Sequence, residues 1–388
     1  METFDNLSEK LWQIIHVICE LWTFLSIMAT VIWFLLPPYM KENLRVFLRR
    51  LFVKSKLNIN QTSLMKGLLL DDISIIDGPY RDCAFQLEVK KDEVHVPEDF
   101  KLVAERLRKE NDERKRKGEM PVYSDLIPYA VHSLTIDREP DANKERPVWR
   151  LQLRESSYFY SLVSIMSMNE LVGDITIREK YYRKLIENPK VPSPDGYDII
   201  HGLGINTLLY TNDKKFVFGE RDASTVATGK GCLHLSVGEH LNRMLIDFDE
   251  ESGEPDITKT LKRGMNEELG IKREKLKDAE IRFYCLAFAS RHCQYGVLGI
   301  TILENYSSKD VMDDWTFSKD GRYENTRLVF IDANIKSVVD YLNNNTQSTM
   351  TKFALLNVCV ALMTEQIFNV GQKEIDRELK KLRPNAIV

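Results

Sequence analysis

The sequence has no C-x-x-C pair, and no histidine spacing matches its six scattered cysteines, Cys19, Cys83, Cys232, Cys285, Cys293 and Cys359. This pattern argues against a zinc site and against a disulfide framework, and a reducing cytoplasm is the simplest home for such a chain. Internal repeats are absent, which excludes a repeat array, and so are low-complexity tracts. There is no excess of positive charge: the formal net charge is -4, so no DNA or RNA partner is expected. With 43% hydrophobic and 29% charged residues, neither wholesale disorder nor a polytopic membrane protein fits. A chain of 388 residues has room for one membrane segment plus one or two compact domains.

Charge is missing locally as well. From Leu21 to Met40 no residue is charged, and Leu11 to Cys19 extends the uncharged stretch beyond Glu20. About 20 apolar residues cross the hydrocarbon core of a bilayer as a helix, so residues 11–40 are read as a transmembrane segment. Lys41, Arg45, Arg49, Arg50, Lys54 and Lys56 follow, in a basic juxtamembrane stretch over residues 41–56, whereas the first ten residues are acidic. Positive charge stays inside, which places the amino end outside and the remainder in the cytoplasm. A cleaved leader fits less well, because the first residues are not basic and Pro37-Pro38 stands where small residues would be needed. His16, Glu20, Thr23 and Thr30 share one face of the helix. Either these groups sit in the headgroup region and bond back to the backbone, or they form a seam that drives helix association or lines a polar path.

Residues 57–200 read as an α+β middle region. Short apolar runs (LMKGLLL, ISII, AFQLEV) suit small strands, Phe100 to Met120 suits a mostly solvated helix, and Ile127 to Ile136 and Val148 to Leu153 suit strands. The stretch RESSYFYSLVSIMSMNELV suits a helix with an apolar face. Residues 188–198 pack three prolines, a glycine and two aspartates into eleven positions, the best candidate for a boundary. A hairpin is predicted from Gly204, turning at Asn212-Asp213, followed by a third strand CLHLSV that runs to Gly238. Ile257, Leu261, Met265 and Leu269 have helical spacing, stopped by Gly270. Three further strands (IRFYCLAFAS, YGVLGITIL, TRLVFID) and helices over 335–342 and 353–368 complete an α/β layered domain, with residues 346–388 as a C-terminal helical segment.

Within the predicted helix stands RGMNEELGI, residues 263–271. It resembles the second half of the Nudix box, R-E-U-x-E-E-x-G-U with U aliphatic, and the order of elements around it also resembles a Nudix domain over residues 201–345. That resemblance implies a layered α/β/α sandwich with a mixed sheet. Such a helix presents carboxylates on one face so that magnesium can bridge them to a pyrophosphate. Positions 264, 267 and 268 would be adjacent, but the first is Gly264 where the family has glutamate, and Pro255 stands eight positions before Arg263 where the box has another.

Two readings follow from that erosion. In the first, Glu267 and Glu268 bind magnesium with Glu254 or Glu324 completing the shell, Glu268 serves catalysis, and the protein hydrolyses a nucleoside diphosphate derivative. In the second, which the missing carboxylate favours, the pocket binds a nucleotide without cutting it. Arg221, Arg263, Arg291 and Tyr295 are the candidates for ligand contact. Arg221 serves equally well as a surface ion pair and His292 is otherwise a turn residue, whereas Glu267 and Glu268 are less well read as a solvated helix end, since acids there run against the helix dipole. His234 and His240 show no ligand spacing.

An anchor joined to such a domain resembles the transmembrane-Nudix effectors of bacterial CBASS anti-phage systems. The resemblance implies an inner-membrane effector that senses a cyclic nucleotide, forms homo-oligomers on activation and disrupts the bilayer, killing the infected cell. A scaffold whose residues 57–200 bind a protein partner stands beside it as a third reading.

Overall fold

The computed structural model describes residues 72–81, 83–118, 126–141, 144–183, 197–199, 202–224, 226 and 229–388, all within the unit Ile59–Val388. The expected membrane segment with His16, Glu20, Thr23 and Thr30, the basic stretch after it, the run LMKGLLL and most of the proline-rich stretch 188–198 lie outside the described residues. Among the described residues no helix is long and apolar enough to cross a membrane.

The strands are β1 (Ile73–Asp77), β2 (Ala84–Lys90), β3 (Tyr129–Asp141), β4 (Lys144–Glu155), β5 (Leu171–Val172), β6 (Ile175–Thr176), β7 (Leu203–Thr211), β8 (Lys215–Arg221), β9 (Cys232–Leu235), β10 (Val237–His240), β11 (Glu280–Ala289), β12 (Gln294–Leu303), β13 (Asn325–Asp332) and β14 (Thr349–Met350). The α-helices are α1 (Glu98–Arg116), α2 (Tyr158–Met166), α3 (Ile257–Leu269), α4 (Ser308–Trp315), α5 (Gly321–Glu324), α6 (Ile335–Asn344), α7 (Lys352–Thr364) and α8 (Gln372–Leu379).

A nine-stranded mixed sheet runs β1-β11-β12-β7-β8-β9-β14, with β10 added on β7 and β13 on β8. The α/β class with a mixed sheet is therefore the observed architecture. Alternation along the strands sends Leu203, Ile205 and Leu209 to one core and Leu208 to another. The apolar stripe of α3 (Ile257, Leu261, Met265, Leu269) closes the first core, and α6, α7 and α8 close the second. Residues 354–362 of α7 are buried on every side, as expected of a helix that is apolar all round.

The hairpin turns as its sequence suggests, with Lys214 taking the left-handed position at φ 60°. The strand expected from Cys232 to Gly238 is in fact two. After Leu235 the chain changes partner, β9 pairing with β8 and β10 with β7. No glycine or proline marks the switch; it is set by β8 diverging from β7 after the two pairs Leu209–Val217 and Tyr210–Phe216.

In the middle region β2, β4 and β3 form a separate three-stranded sheet. Helix α1 buries Phe100, Ala104, Leu107 and Asn111, a stripe at helical spacing, while Leu102 is 60% exposed. The core of this region is continuous with that beyond residue 200: Trp149, Phe100 and Tyr182 belong to the cluster that holds Leu203 and Met265. Strand β1 pairs antiparallel with β11, Ile73 opposite Ala289, and so extends the large sheet. Asp198 accepts from the His95 amide at 2.8 Å and from Arg154 Nη1 at 2.7 Å, and lies 2.6 Å from His132 Nδ1. Burial pushes its carboxyl up, but those three partners outweigh burial and hold it below the ordinary aspartate value.

Candidate functional site

Helix α3 is delimited by its own sequence. The Asp256 side chain accepts from the Thr258 and Lys259 amides at the start, and Gly270 ends the helix in the left-handed region at φ 72°. The buried face carries Arg263, Gly264 and Glu268 against β10, with Glu267 half-buried at its edge.

Gly264 is occupied space. A Cβ built there would lie 2.4 Å from Glu239 Cγ and 2.7 Å from Glu239 Oε1. A carboxylate from β10 thus fills the place where a side chain on α3 would stand, and glycine at 264 is the residue that lets it in. Glu239 was not among the residues singled out in the sequence, because it lies on a strand, 25 positions before the helix residue whose space it fills.

Arg263 gathers the acids around it. Its Nε donates to Asp247 Oδ2 at 2.9 Å, its Nη2 to Glu239 Oε2 at 3.1 Å and its Nη1 to Glu267 Oε2 at 2.7 Å. All three guanidinium nitrogens are engaged, and the residue is only 5% exposed. In this geometry Arg263 orders the carboxylates and turns no free donor edge to a ligand. Burial pushes the Glu239 carboxyl up to about 7, with Arg263 opposing and Glu324 and Glu267 adding to the rise. Burial likewise raises Asp247, against the pull of Arg263.

Glu268 and Glu324 form the second half of the site. Asp320 donates its amide to the Glu267 carbonyl at 3.0 Å, and α5 begins with Gly321 because a Cβ there would stand 1.9 Å from the Glu268 carbonyl oxygen. This close approach of α5 to the end of α3 brings Glu324 near Glu268. Burial, then the charges of Glu324 and Glu239, push Glu268 well above the ordinary glutamate value, while Arg221 and the Gly238 amide pull it back. Burial also raises Glu324, with Arg221 opposing. Carboxyls raised in this way hold their protons to higher pH than ordinary glutamates do, and a protonated carboxyl can donate as well as accept.

Arg221 ends β8, opposite Asn325 of β13. Its Nη2 lies 3.8 Å from Glu324 Oε2, a loose contact, and its buried Nε finds no hydrogen-bond partner. Two neutral imidazoles flank it. Burial and then Arg221 push His234 down to about 3 and His240 to about 4. His234 Nδ1 lies 2.6 Å from Thr351 Oγ1, and His240 Nδ1 lies 3.0 Å from Gln294 Nε2.

The other sequence candidates fall elsewhere. Glu254 accepts from the Val89 amide at 2.9 Å and so serves β2. Tyr295, a candidate for ligand contact, lies inside β12 with its ring buried against Phe288 at 5.4 Å, because the turn is only Ser290 to Cys293. Arg291 is exposed in that turn, where its carbonyl accepts from Arg178.

Magnesium was the cofactor that the sequence suggested. Glu267 is bonded to Arg263, Glu268 is shut away, and among the described residues no three His, Cys, Asp or Glu side chains stand where they could hold a metal ion. As arranged, these side chains do not fit the ion.

No protein-family model matches the chain, and no curated protein matches it either. Among solved structures the chain is similar to DR0079 from Deinococcus radiodurans, at 12% identity over 37% of this chain and 74% of that one, with a TM-score of 0.25. A likeness so slight carries no argument about fold or chemistry.

Proposed function

We propose that the protein is a membrane-anchored effector that senses a nucleotide through a degenerate Nudix-like domain and holds it without cutting it. The observation that supports this most is the pairing of the box acids: Glu239 fills the space at Gly264, and Arg263 binds Asp247, Glu239 and Glu267 together. Acids held in ion pairs are not open to a bridging cation, whereas Arg221 has a buried Nε without a partner and is suited to a phosphate oxygen. The upward shifts of Glu239, Glu268 and Glu324 lessen their repulsion of a phosphate relative to carboxyls at the ordinary value.

In this reading the ligand is a cyclic nucleotide messenger of a CBASS anti-phage system, and the protein acts at the inner membrane of a bacterium. Binding clusters the cytoplasmic domains, and clustering brings together the helix faces that carry His16, Glu20, Thr23 and Thr30, since one helix alone cannot enclose a water path. Undiminished membrane leakage in a Glu20→Leu variant would remove that part of the proposal.

A second reading, a magnesium-dependent Nudix hydrolase tethered to the membrane, has one observation in its favour. The charge of Glu324 raises both Glu239 and Glu268, and that of Glu239 raises Glu268 further, an excess of negative charge that a cation would relieve. Purified protein incubated with cyclic and linear nucleotides, with and without magnesium, separates the two. Recovery of intact bound nucleotide is expected. Metal-dependent cleavage that Glu267→Gln abolishes would establish the hydrolase instead.

A further inference from the structure

A cleft of about 850 Å³ opens on the middle region, walled by the end of β2, one face of α1, the junction of β4 with α2, and Arg243 from the loop after β10. None of its residues belongs to the cluster around Arg263, so nothing argued about it depends on the proposal above. Its volume falls in the range of small-molecule sites, about 300 to 1,000 Å³.

Five of its lining side chains are basic: Lys90, Lys91, Lys101, Arg108 and Arg243. Three of these already have partners, Lys90 with Glu88, Lys101 with Glu98 at 3.4 Å and Arg243 with Glu155 at 3.0 Å. Among the described residues no carboxylate pairs with Lys91 or Arg108. Arg108 is held in place by other means. Its Nη2 donates to Ser157 Oγ at 3.3 Å, and its guanidinium lies 5.1 Å above the Phe159 ring. Ser157 is the cap of α2, a nine-residue helix, so the positive end of that helix faces the same space.

The second observation is Ser156. Its residue is 7% exposed and lines the cleft, and its hydroxyl has no hydrogen-bond partner. A buried hydroxyl left unpaired costs about 1 to 3 kcal/mol, a cost that a ligand acceptor would remove. Three carboxylates line the cleft too, but Asp92 is bound to Arg154 and Glu155 to Arg243. That leaves Glu93 against two cations without a carboxylate partner, a helix N-terminus and an unsatisfied donor, a balance that favours an anion rich in acceptors. Tyr158, Phe159 and Tyr160 on the first turn of α2 supply aromatic surface beside them.

We propose that this cleft binds a small organic phosphate with an aromatic body, of the nucleoside phosphate class, its phosphate between Lys91, Arg108 and the α2 N-terminus. Full-length protein in neutral-lipid nanodiscs, titrated calorimetrically in EDTA with ADP, pyrophosphate and adenosine, tests it. ADP and pyrophosphate are expected to bind, and adenosine at least tenfold more weakly. The double variant Lys91→Gln/Arg108→Gln should lose one bound ADP equivalent or weaken it about a hundredfold, as removal of two charge-assisted contacts implies. Ser156→Ala should weaken ADP several-fold while the melting temperature of the free protein holds or rises, since the unpaired hydroxyl is removed, which guards against a folding defect in the double variant. Failure of ADP and pyrophosphate to bind, or binding that both variants leave intact, would overturn the proposal. So would loss of ADP binding when anionic lipid replaces neutral lipid, since a lipid headgroup would then be the occupant.

Discussion

Replacing Gly264 by alanine would, on a solvated helix, stabilise the protein by about 1 kcal/mol, the difference in helix propensity. Here the sign should reverse. The added Cβ would stand 2.4 Å from Glu239 Cγ, more than 1 Å inside ordinary carbon contact of about 3.5 to 4.0 Å. Glu239 has little freedom to retreat, being paired with Arg263 at 3.1 Å. Overpacking of this kind costs about 1 to 3 kcal/mol, so Gly264→Ala is expected to destabilise by about 1 to 2 kcal/mol net of propensity. In a Glu239→Ala background the obstacle is gone, and the same substitution should stabilise by up to about 1 kcal/mol. The coupling between the two positions is then about 2 to 3 kcal/mol, well above the few tenths expected of independent sites. Urea unfolding midpoints of the four proteins complete the cycle. If Gly264→Ala raises the midpoint of the otherwise unaltered chain, Glu239 does not fill the space beside the helix, and the account of the eroded motif collapses with it.

Three further outcomes follow from the ion pairs. Glu239 takes up a proton on folding between its ordinary value of 4.5 and about 7, so stability should fall as pH rises through that window, by at most about 3 kcal/mol, and Glu239→Gln should flatten the profile between pH 5 and 8. Arg263→Gln strands three acids that share one buried cation and should cost about 3 to 5 kcal/mol; Arg263→Lys should recover only part of this in the same denaturation assay, because one ammonium cannot serve three carboxylates at once. Asp198 has a folded value below the ordinary one, so its contribution is present above pH 4 and lost as acid protonates it. Asp198→Asn should therefore unfold more readily at pH 7, by about 1 to 3 kcal/mol, with a smaller difference at pH 3.

Helix α3 was legible because its signals are local: the apolar spacing and the stopping glycine lie within a few turns of one another. The hairpin at Asn212-Asp213 and the strands β11 and β12 were legible for the same reason. What the order of residues does not display is contact across distance. Nothing in LSVGEH announces that the strand changes partner at Ser236, nor that Glu239 then reaches the helix residue at 264. Tyr295 illustrates the opposite error, since an aromatic next to Arg291 and His292 looks available for a ligand until the turn is found to close two residues earlier. Lys91, Arg108 and Ser156 are far apart in the sequence and line one cleft only because α1 lies beside the junction of β4 and α2.

Because Ile73 to Asp77 completes the rim of the nine-stranded sheet, any shortened version of this protein that starts near residue 200 would bare the flank of β11. A naked strand flank invites pairing with other copies, and the loss of Trp149 and Phe100 would open an apolar floor beneath it. Aggregation of such a fragment would then reflect where it was cut and say nothing about how the intact protein assembles.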